Sequence, residues 1–114
     1  NYENGDSDRA IPMFERTLGL DPERHEAWGV LASIYHQRED WANAGTMLVN
    51  YLEIRPNHVP SIFLLATSYD NLGDYRQALL HYNLFIQRDD GSDDVRSFQV
   101  RRRAQSLERL LEDN

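Results

Sequence analysis

Residues 28–56 read WGVLASIYHQREDWANAGTMLVNYLEIRP, and the spacing of apolar side chains in and just before that run decides the fold. Ala27, Trp28, Leu31, Ile34 and Tyr35 recur at three- and four-residue intervals, and so do Ala44, Met47, Leu48, Tyr51 and Leu52. The polar break Gln37-Arg38-Glu39-Asp40 separates the two stripes. Proline just past a periodic segment marks a helix end, so Arg55-Pro56-Asn57 closes the second stripe. The run therefore predicts a helix-turn-helix pair, about 14 residues and ~21 Å per helix.

The pattern repeats. A shift of 34 residues carries Pro22 onto Pro56 and Leu20 onto Ile54. It also aligns Asp6, Asp40 and Asp74, then Ala10, Ala44 and Ala78, then Phe14, Leu48 and Tyr82, then Leu18, Leu52 and Ile86. Leu31, Ala32 and Tyr35 map onto Leu65, Ala66 and Tyr69. A fixed period of this length is the signature of a stacked repeat architecture. In the second unit the break is Asn71-Leu72-Gly73-Asp74; Gly73 suits the left-handed residue that closes a helix, and Asp74 the N-cap of the next.

The residues Trp28-x2-Leu31-Ala32-x2-Tyr35 … Ala44-x3-Leu48 … Pro56 resemble the tetratricopeptide repeat, whose pattern is Trp-x2-Leu-Gly-x2-Tyr … Ala-x3-Phe … Pro. A second copy is Ile62-x2-Leu65-Ala66-x2-Tyr69 … Ala78-x3-Tyr82, with Asp90 where proline would stand. An incomplete first copy holds Tyr2, Gly5-Asp6, Ala10-x3-Phe14, Leu18 and Pro22. The resemblance implies an all-α fold, a right-handed superhelical stack of antiparallel helix pairs (an α-solenoid). It divides the chain into a partial unit at 1–24, full units at 25–58 and 59–92, and a C-terminal capping helix at 93–114. Ala32 and Ala66 would let paired helices cross closely against Ala10, Ala44 and Ala78, with Trp28, Tyr35, Tyr69 and Tyr82 filling the space around them. Stability then accumulates through neighbours.

Several residues depart from the pattern. Thr17, Tyr51 and Phe85 stand where the family favours alanine, which widens the packing. Pro12 should kink the first helix or delay its start, and Gly45 weakens its helix by ~1 kcal/mol relative to alanine. The chain opens on the second helix of a unit, so Ile11, Phe14 and Leu18 are expected to present an uncovered face. That face would take a missing upstream unit or a second copy of the chain. The final helix, about 93–112, carries Val95, Phe98, Ala104, Leu107, Leu110 and Leu111 as its apolar stripe, with five arginines mostly elsewhere.

Composition narrows the function. Twelve aromatic residues in 114 are too many for a disordered tail, and no apolar run approaches the ~20 residues of a membrane span. The polar, acidic start at Asn1–Asp8 does not read as a signal peptide and favours the cytoplasm. The chain opens without Met, however, so a leader remains compatible with it. No cysteine is present, which removes disulfides, thiolate nucleophiles and thiolate-bound zinc. The net charge of −7 is uneven, with five arginines against three acids over residues 95–114 and acid excess everywhere before. The body should repel nucleic acid and anionic membrane, so neither is expected as a partner.

Candidate chemistry is sparse. His25, His36, His58 and His81 have no i, i+4 pair of the zincin type, and helix-start or surface roles outweigh a metal site. Ser33, Ser61 and Ser68 lack any nucleophile motif, and Glu39/Asp40 are better explained by capping than by acid–base catalysis. The acidic loop Asp89–Asp94 lacks the spacing of a calcium-binding EF-hand. Arg101-Arg102-Arg103 point three ways around a helix and read as a solvated face, paired in part to Glu108. Trp28 and Trp41 read as packing residues. No catalytic, cofactor or metal site is expected, and the chain is expected to be non-enzymatic.

The resemblance implies a concave groove lined by the first helix of each pair. Its candidate positions are Glu26, Gly29, Ser33, His36 and Gln37, then Pro60, Phe63, Thr67, Asp70 and Asn71. Phe63 is the candidate apolar anchor, and Glu26 and Asp70 favour a basic or amide-rich ligand. Members that bind chaperone C-termini hold the terminal carboxylate with Lys, Arg and Asn in such places; here Gly29, Ser33, Phe63 and Thr67 occupy them, with no cation among them, so binding to chaperone C-termini is not expected. The expected role is a protein–protein interaction scaffold with a protein or peptide partner. The alternative is a self-association module, a homo-oligomer through the N-terminal half-repeat, within a longer repeat protein serving an assembly or a catalytic domain elsewhere in the chain.

Overall fold

The computed structural model describes residues 4–113, with side chains from Ser7 onward. Tyr2 of the incomplete first copy lies outside the described residues, as does the side chain of Asp6. Among the described residues there are six α-helices and no strand: α1 (Asn4–Leu20), α2 (His25–Gln37), α3 (Trp41–Ile54), α4 (Val59–Leu72), α5 (Tyr75–Arg88) and α6 (Asp94–Glu112). They form two compact units, α1–α3 within residues 1–56 and α4–α6 within 57–114.

One turn occurs twice, 34 residues apart, and sets the angle within each pair. After α2 the amide of Asp40 donates to the Tyr35 carbonyl at 2.9 Å and that of Glu39 to His36 at 3.0 Å. After α4 the amide of Asp74 donates to Tyr69 at 3.0 Å and that of Gly73 to Asp70 at 3.1 Å. Both are the paired closing bonds of a Schellman motif, which needs a left-handed residue: Gly73 at φ 81° in one, Glu39 at φ 59° in the other. The aspartate that follows starts the next helix, since Asp40 accepts the amide of Asn43 and Asp74 that of Gln77. Asp93 does the same for Arg96 at 3.0 Å.

In unit 1, α2 packs against both α1 and α3. Leu18, Ala27 and Leu31 form a buried cluster, against which Ile11, Phe14, Trp28, Tyr35 and Met47 are partly buried. Along α1, Leu18 is buried, Ile11 and Phe14 are half-buried against that cluster, and Met13 and Leu20 are exposed. Helix α1 also runs from Asn4 straight through Pro12, so the proline does not delay its start; Pro12 is exposed, and the helix continues without that one amide donor. Ala32 and Ala44 are both fully buried in the α2–α3 pair, and Gly45 is buried beside Ala44. The Trp28 indole donates to the Pro22 carbonyl at 2.6 Å, tying the α1–α2 turn to the core.

In unit 2, Ala66 and Ala78 are completely buried at the equivalent positions, with Ile62, Leu65, Tyr82 and Phe85 around them. Helix α6 packs on α5 through Val100, Ala104 and Leu107. This corrects the stripe read from the sequence, because Val95, Phe98 and Leu110 are exposed and Val100 takes the core position. Val100, Ala104 and Leu107 follow a three- and four-residue spacing, and Val95, five residues before Val100, falls about 140° away around the helix.

Candidate interaction site

The α2 positions Glu26, Gly29, Ser33 and Gln37 lie three or four residues apart and share one helix face. In unit 1 they open onto a hollow of about 410 Å³ whose floor includes Tyr51 of α3. Gly29 lets the Tyr51 ring lie close against α2, because a Cβ at that position would stand 3.2 Å from the ring. His25 flanks the floor, edge-on to Tyr51 with ring centroids 6.1 Å apart, and its Nδ1 is 3.9 Å from the Glu26 carboxylate. Arg55 reaches the opposite ring nitrogen of His25 at 3.3 Å. Of the five expected α2 positions, His36 does not line the hollow. Its ring meets Trp41 at 4.9 Å and 83°, its Nε2 is buried with no hydrogen-bond partner among the described residues, and burial lowers its pKa from the usual imidazole value.

The α4 positions are arranged differently. The Phe63 ring lies 5.8 Å from Phe85, with the guanidinium of Arg96 4.5 Å over its face. Asp70 accepts from Arg103 twice, Nε at 2.8 Å and Nη2 at 2.7 Å, and from the Tyr82 hydroxyl at 2.9 Å. Thr67 donates to the Phe63 carbonyl at 3.0 Å, and Asn71 to the Thr67 carbonyl at 2.9 Å. Burial, followed by the Asp70 charge, pushes the Tyr82 hydroxyl up to about 12. The hydrogen bond that Arg103 donates to Asp70 raises the Arg103 pKa above its already high value.

Two cations on α6 thus meet the α4 face. Sequence reasoning assigned the arginine run to solvent and offered Glu108 as its acid; the acid that holds Arg103 is Asp70. The available signal was spacing, since Arg96 and Arg103 are seven residues apart and so share a helix face. Of the other arginines in the run, Arg102 lies 5.7 Å from the Phe98 ring and Arg101 is exposed. The acidic loop before α6 is a set of local turns: Asp89 accepts the Gly91 amide at 3.1 Å and Asp90 the Ser92 amide at 2.9 Å. The Ser92 amide and, after it, the Ser92 hydroxyl hold the Asp90 carboxyl below its usual range.

Comparison with known proteins bears on this geometry directly. Two family models described as tetratricopeptide repeat match residues 2–57 and 61–92. The chain belongs to the tetratricopeptide repeat family. Tetratricopeptide repeats serve generally as protein-interaction scaffolds rather than catalysts. A relative within this repeat class, Superkiller complex protein 3 of Homo sapiens, is 25% identical over 84 residues, which is 74% of this chain and 5% of that protein. The chain therefore spans a small fraction of that relative. A solved structure titled MamA MSR-1 C2 aligns with a TM-score of 0.71 over 92% of this chain and 69% of its own, at 21% identity, and shows the shared tetratricopeptide repeat fold alone. Among the described residues no helix is long and apolar enough to cross a membrane.

Proposed function

We propose that this tetratricopeptide repeat chain is a non-catalytic scaffold and that the α2 face of unit 1 docks a segment of a protein or peptide partner. The observation that supports this reading is the hollow lined by Gly29 and Tyr51, which Glu26, Ser33 and Gln37 edge. Side chains of that kind bind by shape, hydrogen bonding and charge. Glu26 makes the site unfavourable for a peptide ending in Glu-Glu-Val-Asp, and calorimetry with such a peptide is expected to give no tight complex.

The direct test is a photo-crosslinking amino acid placed at Ser33 of the intact chain and, as control, at exposed Asn83 of α5. Partner adducts are expected from position 33 and not from 83. The same adducts from both positions would remove the hollow from consideration.

A further inference from the structure

The two repeat units differ at one place that points to what the hollow binds. Under the 34-residue shift Gly29 corresponds to Phe63, and Tyr51 to Phe85. In unit 2 that position is filled from within the chain: the Phe63 ring rests near Phe85, and the Arg96 guanidinium covers it at 4.5 Å. In unit 1 residue 29 has no side chain, and the Tyr51 ring lies close against its backbone, where a Cβ would stand 3.2 Å from it. What remains is a hollow of about 410 Å³, within the ~300–1,000 Å³ range of ligand sites and large enough for a bulky side chain. Charge adds a second constraint. Glu26, with its side chain 72% exposed, is the carboxylate at the rim, and Arg55 engages His25 without lining the hollow.

Resting on the docking role proposed for unit 1, we infer that the hollow takes an aromatic side chain of a partner peptide with a lysine or arginine close beside it. The aromatic ring packs in the hollow against the side of Tyr51 that faces it, and the cation meets Glu26. An aromatic anchor combines large buried area with few rotatable bonds, so it loses little entropy on docking. The flanking cation supplies steering and salt dependence. Unit 2 supplies the precedent for an aromatic ring on this face, with Phe63 beside Phe85, and Glu26 supplies the call for a cation.

The test is selection of random heptapeptides displayed on phage against the whole chain, in parallel with Gly29→Phe, which supplies its own ring. Ser33→Arg, at an exposed rim position, is the second variant in case the first perturbs folding; circular dichroism monitors both. Peptides recovered on the parent chain and lost on the variants are expected to carry Phe, Tyr or Trp within two residues of Lys or Arg. Replacing that aromatic with Ala should weaken binding at least tenfold, and Glu26→Gln should weaken it a few-fold and flatten its salt dependence. Parent-specific peptides without an aromatic would overturn the anchor while leaving the docking role intact. Peptides that bind parent and variants alike, or no enrichment on the parent, would overturn the docking role and the anchor together.

Discussion

Asp70 and Arg103, 33 residues apart, meet as a two-pronged ion pair in which both guanidinium bonds, 2.8 and 2.7 Å, fall on one carboxylate. The Asp70 side chain is 14% exposed and that of Arg103 43%, so the acid is the sequestered partner. Tyr82 donates to the same carboxylate from α5, which joins α4, α5 and α6 through a single side chain. Asp70 thus acts within unit 2 as a structural junction.

Removing the charge while keeping the shape isolates that role. Asp70→Asn is expected to destabilise the chain by about 1–2 kcal/mol, a charge-assisted bond discounted for the partly exposed Arg103. Urea unfolding checks the size, and a double-mutant cycle with Arg103→Ala should return a favourable coupling. Hydrogen exchange on Arg103→Ala should quicken in α6 before α5.

Tyr82 should be the tyrosine that resists alkali. Its hydroxyl is pushed up to about 12, chiefly by burial and then by the Asp70 charge. The folded pKa lies above the ordinary value of 10.0, so this contribution to stability is complete below about pH 10 and is lost as pH rises toward 12. Ultraviolet titration of phenolate should show a late component that disappears in Tyr82→Phe.

Glu39 holds a left-handed conformation that its counterpart Gly73 adopts freely. Glu39→Gly is therefore expected to stabilise the chain by about 0.5–1 kcal/mol, against the usual penalty for glycine. Gly73→Ala should destabilise by about 1–2 kcal/mol through backbone strain, because an added Cβ there meets nothing within 4 Å. Thermal unfolding of both variants decides, and opposite signs are expected.

His36 gives a mild acid sensitivity. Burial lowers its pKa below the ordinary 6.5, so the unfolded chain takes up a proton first. Its contribution is complete above about pH 6.5 and is lost as pH falls through the folded value. Proton NMR titration should place the His36 midpoint below that of the exposed reference, and His36→Phe should reduce the loss of melting temperature on acidification.

Most of the fold was legible in the residues. Leu31, Ala32 and Tyr35 recurring as Leu65, Ala66 and Tyr69 specified helix pairs, and Pro22, Pro56, Gly73 and Asp74 marked their ends, because these signals act through local sterics and capping. The candidate site was legible only as a helix face. Glu26, Gly29, Ser33 and Gln37 share that face by helical geometry alone, but periodicity does not say which neighbouring side chain fills the space opposite.

The sequence by itself determined the repeat length, the helical elements and the turn chemistry, all of which depend on residues close in the chain. Tertiary packing decided the rest. It half-buried Ile11 and Phe14 against Leu18, Ala27 and Leu31, chose Val100 over Val95 for the core, and delivered Arg103 to Asp70 across 33 residues. It also set Gly29 against Tyr51 and Phe63 against Phe85, so that one unit is open where the other is filled. Such pairings depend on which side chains meet when helices cross, and that geometry is common to the whole chain rather than written in any one stretch of it.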